Sequence, residues 1–299
     1  MDHVFLKLHL SVFIAGFTGL FGRLVSLNAV WICFFRITLG GLCFFTYSKL
    51  THKLKPLPAS LRYGAMGAGA LLALHITFFY LAIKLSNVSM GTLTVSTISF
   101  FVALIEPVVA KTRFSIADIL CSLVAILGLS FIFSFDARYR LGIGVGIFCA
   151  FLSALYSVTG RRLMAHPQAE SYSMLNWQFL GASVMMVIAV CFYRLFTGSW
   201  DLYFKLEDML YLLLAATVCT AGMYLLQLMV LKAVSAFTVM LTYNLEPVYT
   251  ILLAFLIFHE NREFNYSFYV GLSFIIVSVG LKTWRVMRLQ KLDPGLKNA

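Results

Sequence analysis

Charge is what this sequence has least of. Its 299 residues hold 23 Lys and Arg and only 12 Asp and Glu, 12% charged altogether, where a soluble domain carries about a quarter. So few charges cannot cover the exterior of a water-soluble globule of this length. Proline is sparse at 6 residues. Six cysteines (Cys33, Cys43, Cys121, Cys149, Cys191 and Cys219) stand singly, with no CxxC and no Cys/His cluster. That excludes a disulfide scaffold or a metal ribbon and leaves small packing residues. No HExxH occurs, because the run His259-Glu260-Asn261-Arg262-Glu263 lacks the second histidine, and no glycine-rich phosphate loop is present. No cofactor or metal is therefore expected.

Apolar residues make up 61% of the chain, with 28 Phe and 14 Tyr. The mean hydropathy is +0.90. Such a composition excludes disorder and predicts an integral membrane protein. Since about 20 apolar residues cross the hydrocarbon layer, cutting at charged and Pro/Gly breaks predicts an all-α protein of ten transmembrane helices. They run over about 4–22, 29–48, 61–83, 88–110, 114–134, 142–160, 172–194, 208–230, 234–258 and 267–287. The first begins almost at Met1 without a separate basic region or cleavage site, which predicts a retained span. With the N-terminus inside, Lys49, Lys53, Lys55, Arg62, Lys111, Arg113, Arg161, Arg162, Lys232 and the basic tail fall on the inner side, against Arg23, Lys84, Arg138, Arg140, Arg194, Lys205 and Arg262 outside. The bias predicts both termini in the cytoplasm. It also turns the net charge of +11 into a topology signal, with no nucleic-acid partner.

Residues 97–128 and 244–280 align when Ser99 is set against Pro247 and Gly128 against Gly280, with about four extra residues in the second loop. This predicts two five-helix repeats, 1–138 and 139–299, the second with a short basic tail. Five spans is an odd number, so the second half enters the membrane inverted relative to the first, an architecture of transporters whose site lies between the halves.

The segments GFTGLFGRLVSLNAVWICFFR (16–36), ALHITFFYLAIKLSNVS (73–89), ALIEPVVAKTRFS (103–115), SALYSVTGRRL (153–163) and YNLEPVYTILLAFLIFHE (243–260) occur in that order. Together they resemble the drug/metabolite transporter superfamily in its EamA-like branch, over about residues 5–285. The resemblance implies a permease of ten spans with a central cavity, moving a small metabolite by alternating access. Two positions depart from the family pattern. Lys111 stands where the first half more often carries the loop glutamate that Glu260 supplies in the second, and Ser99 stands where proline is more usual.

An ionisable group at bilayer depth costs roughly 2.5–3.5 kcal/mol or more, so each marks either function or a structural pair. Tyr243, Glu246, Pro247 and Thr250 fall on one face of span nine, where Pro247 frees the carbonyl of Tyr243. Glu246 reads as a proton carrier or a partner for a substrate ammonium, or else as a strut paired with Arg36. Thr92, Ser96, Ser99, Ala103 and Glu106 form a small-and-polar stripe on span four, which lines a pore or serves as helix glue. Glu106, near the cytoplasmic end, reads as gating, structural or substrate-contacting.

Thr217, Thr220, Tyr224 and Gln227 share a face of span eight, and His75 and Phe79 lie one turn apart on span three beside Tyr80. His75 and His9 are candidates for proton coupling or for plain interhelical hydrogen bonds. Arg36 reads as a carboxylate or phosphate binder or as a structural pair, and Asn176, Trp177, Gln178 and Tyr156 as further candidates. Gly16, Gly19 and Gly22, and Gly142 and Gly146, read as tracks for close helix approach. Only Arg36 and Lys7 supply cations within spans, which disfavours phosphorylated substrates and leaves amino acids, amines and aromatic compounds. The expected protein is a multi-pass carrier of the cell membrane, placed in a bacterial inner membrane, and not an enzyme. Its partners are a small-molecule substrate and the lipid bilayer, with proton coupling and a homodimer left open. A membrane-embedded enzyme or a channel is the alternative.

Overall fold

In the computed structural model the described residues are 2–111, 114–116, 119–120, 122–124, 126–128, 139–203, 205–243, 245–260 and 266–292, and no strand occurs among them. Most of expected span five, the repeat junction at Arg138, and Asn244 lie outside these residues. The helices are α1 (Asp2–Leu24), α2 (Ala29–Leu50), α3 (Ala59–Leu85), α4 (Val88–Val95), α5 (Ile98–Ala110), α6 (Arg140–Met164), α7 (Ser171–Thr197) and α8 (Leu206–Ala216). A π-helical segment (Thr217–Gly222) follows, then α9 (Met223–Leu231), α10 (Ala236–Tyr243), α11 (Glu246–Phe258) and α12 (Tyr266–Leu292). Seven spans are long and apolar enough to cross a membrane: α1, α2, α3, α4–α5 taken together, α6, α7, and α8 to α9. Two shorter apolar helices cover Glu246–Phe258 and Tyr266–Ser278. Multi-pass insertion is thus supported, with seven full-length spans among the described residues where the sequence predicts ten.

Two of the predicted spans are not continuous helices. Span four breaks at Ser96 and Thr97 and span nine between Tyr243 and Glu246. Each comprises an eight-residue helix, two intervening residues and a thirteen-residue helix. Both thirteen-residue helices end on a left-handed residue, Lys111 (φ 55°) and His259 (φ 54°). Pro247 therefore does not kink a running helix. It occupies the first turn of α11, where its missing N–H costs nothing. The first half breaks without proline, its local hydroxyls serving instead: Thr94, Ser96 and Thr97 each bond back to the carbonyl three residues earlier.

Small residues set how closely these helices pack, as hydrocarbon gives no hydrophobic drive for helix association. A Cβ on Gly69 would fall 1.9 Å from the carbonyl oxygen of Gln178, and one on Gly181 would fall 2.2 Å from that of Met66. Helices α3 and α7 therefore touch backbone to backbone. The Gly16, Gly19 and Gly22 track admits Tyr249 and Thr250 of α11 and Tyr80 and Ile83 of α3 against α1. Between α2 and α3, the Lys53 ammonium donates to the hydroxyls of Tyr47 (2.9 Å) and Tyr172 (3.1 Å). These bonds hold it above the ordinary lysine range and fasten the loop onto α7.

Candidate functional site

Helices from both parts of the chain enclose a small cavity of about 60 Å³, room for a few water-sized molecules. Thr18 of α1, Arg36 of α2, His75 and Phe79 of α3, Tyr156 of α6, Tyr224 and Gln227 of α9, Tyr243 of α10 and Glu246 of α11 line it, with Val95 and Ile98 at the break in span four.

Three rings form its most ordered wall. His75 and Tyr156 stack with centroids 5.6 Å apart at 29°, Tyr224 stands edge-on to Tyr156 at 5.8 Å and 90°, and His75 Nε2 lies 3.1 Å from the Tyr224 hydroxyl. The Tyr156 hydroxyl donates to Gln178 Oε1 at 3.1 Å, and the Cys149 thiol donates to the His75 carbonyl at 3.2 Å. Each ring is thereby pinned by a neighbour, and faces of this kind attract cations.

The buried charges on this cavity are treated very differently. Arg36, with no exposed surface, donates through Nε to Thr220 Oγ1, through one terminal nitrogen to the Tyr80 hydroxyl, and through the other to the Cys219 carbonyl at 2.5 Å. It ties α2 to α3 and to the π segment. That segment is why Thr220 meets it: Thr220 Oγ1 bonds the carbonyl five residues back, Ala215, which turns the next residues by part of a turn and leaves Thr217 outside, bonded to Leu213. A continuous span-eight helix would have kept Thr217 on the Tyr224 face. No ion pair joins Arg36 to Glu246 among the described residues; the pair that forms there is Arg23 with Glu260 at 2.9 Å. Glu246 is 8% exposed, and its carboxylate makes no hydrogen bond or ion pair with another described residue. Other carboxylates behave otherwise. Glu106, Glu170, Asp208 and Glu260 each accept backbone amides at the start of a helix. The amide oxygen of Gln227 and the hydroxyl of Tyr243, also on the cavity, have no hydrogen-bond partner among the described residues.

Of the residues singled out in the sequence, Glu246, Tyr243, His75, Tyr224, Gln227 and Arg36 converge on this cavity. Five do not. Ser96 and Ser99 are buried at the helix break and bond back to Leu93 and Ser96 carbonyls. Glu106 lies in a separate cavity of about 510 Å³ with Arg161 and Arg162. Asn176 lines a groove between α2 and α7 and donates to the Tyr172 carbonyl at 2.8 Å. His9 is exposed on the outer face of α1. Ser96 and Ser99 of the span-four stripe thus face helix neighbours while Ala103 and Glu106 border the second cavity, and His9 lies away from the central cavity, because the rotation of each helix is set by its packing partners. Of the two readings left open for Arg36, its contacts are those of a strut, made to neutral groups and not to a carboxylate. Thr18, Ser153, Met223 and Met240 line the cavity without a sequence signal, since isolated small or apolar residues look the same on a lipid-facing side.

Known proteins place this architecture. No curated protein matches the chain. A solved structure described only as the crystal structure of a protein aligns with a TM-score of 0.68 at 15% identity, over 97% of this chain and 99% of that one, so the two share a fold. A model of the EamA-like transporter family matches residues 5–134 and 140–284. With nearly the whole chain matched in two successive segments, this protein belongs to the EamA-like transporter family, within the drug/metabolite transporter superfamily.

Proposed function

We propose that the chain is a secondary carrier that moves a small compound bearing an ammonium group, an amine or the amino end of an amino acid, by alternating access. The observation that carries this reading is Glu246. It is a buried carboxylate on the central cavity with no hydrogen-bond or ion-pair partner among the described residues, facing a space walled by His75, Tyr156 and Tyr224. An ammonium there gains a counter-charge, ring faces, and acceptors at Gln227 Oε1 and the Tyr243 hydroxyl. Arg36, spent on Tyr80, Thr220 and Cys219, offers little to a carboxylate or phosphate. Glu246 exchanges its ammonium guest for a proton, which couples transport to a proton gradient.

In this reading the chain has ten spans in two inverted five-helix halves, 1–138 and 139–299. The matching split of spans four and nine supports that arrangement. The charge bias supports cytoplasmic termini, and a bacterial inner membrane is the assigned location. The protein works on its substrate without catalysis. A panel of amines, amino acids and organic acids screened for thermal stabilisation, followed by uptake into proteoliposomes under an imposed pH gradient, tests the reading. Stabilisation by amines that disappears in Glu246→Gln is expected, and stabilisation by organic acids that survives Glu246→Gln overturns it.

A further inference from the structure

Two carboxylates away from the cavity perform one task at opposite ends of the bundle. Glu260, fully buried just past the left-handed His259, accepts the amides of Val88 (3.1 Å) and Ser89 (2.9 Å) and the Ser89 hydroxyl (2.6 Å), and it pairs with Arg23 (2.9 Å). Glu106 of α5 accepts the amides of Ala236 (2.9 Å) and Phe237 (2.8 Å). Val88 and Ala236 are the first residues of α4 and α10, the two eight-residue helices of the broken spans. Each carboxylate therefore caps the short helix of the other broken span, where free amides and the helix dipole favour an anion.

The two caps are not equivalent in sequence. Glu260 follows the end of its thirteen-residue helix, whereas Glu106 lies inside its own, whose left-handed cap is Lys111 as His259 is of the other. Equivalent contacts made from non-equivalent positions indicate that the contact matters more than the residue's place in the repeat. Both caps also join the same two broken spans, which reach the cavity at Val95 and Ile98 in one and at Tyr243 and Glu246 in the other.

We propose that Glu260 and Glu106 are the latches of the two gates, Glu260 on the outer side and Glu106 on the inner side, and that releasing one opens the cavity to that side. The proposal rests on the alternating-access reading above. Both latches are fastened in this structure, which accounts for a cavity of only about 60 Å³. They are unequal. Glu260 holds two amides, a hydroxyl and a guanidinium with no exposed surface. Glu106 holds two amides and borders the 510 Å³ cavity beside Arg161. The inner gate is the weaker one, so the empty carrier opens more readily to the cytoplasm.

Hydrogen–deuterium exchange on the purified protein without substrate tests the latches. Since a charge-assisted hydrogen bond contributes more than a neutral one, releasing it accelerates exchange of the capped amides on the order of tenfold. In Glu260→Gln this is expected over residues 88–95 with 236–243 unchanged, and in Glu106→Gln the reverse. Ser89→Ala, which removes one contact and leaves the charge, gives a smaller change of the first kind and keeps the test open if Glu260→Gln fails to accumulate. Equal acceleration at both ends, or none at either, overturns the proposal. A second arm uses protein whose only thiol is Cys149, on the cavity, in sided proteoliposomes with an impermeant maleimide. Labelling is expected to rise from outside in Glu260→Gln and from inside in Glu106→Gln, and a rise from the same side in both overturns the latches. Leak of the impermeant maleimide across wild-type proteoliposomes, which needs a path open to both sides at once, sinks alternating access itself. Absence of amine binding with side-specific labelling intact removes only the substrate reading.

Discussion

Arg36 and Glu246 line one cavity, and the membrane should disfavour both. Around Arg36 the protein supplies a hydroxyl from α3, a hydroxyl and a carbonyl from the π segment, and the face of Tyr80 at 5.5 Å. Around Glu246 there is no hydrogen bond from a described residue, only the other residues that line the cavity, Arg36 among them. The first charge is solvated by the fold and holds three elements together. The second has no such partner among the described residues, which is why the proposed function gives it to the substrate. Burial alone separates the two poorly, at 0% and 8% exposure; the difference lies in what their polar atoms touch.

That contrast makes a graded series of expectations. Arg36→Ala should have the largest effect. It takes the donor from the buried Cys219 carbonyl, at about 1–3 kcal/mol, and removes the tie between the Tyr80 and Thr220 hydroxyls, which keep their bonds to the Thr18 and Ala215 carbonyls. A loss of monodisperse protein, or a sharply lowered melting temperature, checks it; a well-folded Arg36→Ala that still binds amines would dissolve the distinction between strut and site. Glu246→Gln should cost at least about tenfold in amine affinity, about 1.4 kcal/mol, with the melting temperature of the empty protein held or raised. Calorimetric titration alongside thermal melts separates the two readouts. Tyr224→Phe removes the hydroxyl that meets His75 and should cost roughly 0.6 kcal/mol, as interhelical hydrogen bonds in membranes do. Binding two- to threefold weaker in the same titration is the expected reading. His9→Ala, on an exposed face of α1, should stay within about 0.5 kcal/mol of wild type. A pH-dependent transport defect in that variant would return His9 to the coupling path.

Much of this was legible in the residues, for identifiable reasons. Span positions follow from length and hydropathy, and the seven full-length spans fall within a few residues of those cut from the sequence. Glu246, His75, Tyr224 and Gln227 stood out because polar groups are costly at that depth, and they do meet. What failed was rotation and continuity. In lipid the outward and inward faces of a helix are equally apolar, so nothing in the pattern shows that His9 points out, or that Asn176 faces the α2–α7 groove. The π segment at Thr217–Gly222 and the break at Ser96 and Thr97 carry no proline or glycine pair to announce them; each is decided by hydroxyls bonding back to the chain. The role of Glu106 was hidden because its partners, Ala236 and Phe237, are 130 and 131 residues away.

The contact of Gly69 and Gly181 sets where motion can occur. Two helices seated main chain to main chain have no compliant side chains between them to take up sliding, so in the proposed cycle α3 and α7 are the fixed frame. The short helices α4 and α10, whose first residues are each held by a carboxylate, are the parts proposed to move. A covalent bridge between α3 and α7 should therefore leave the transport cycle running, whereas one between α4 and the end of α11 should stop it.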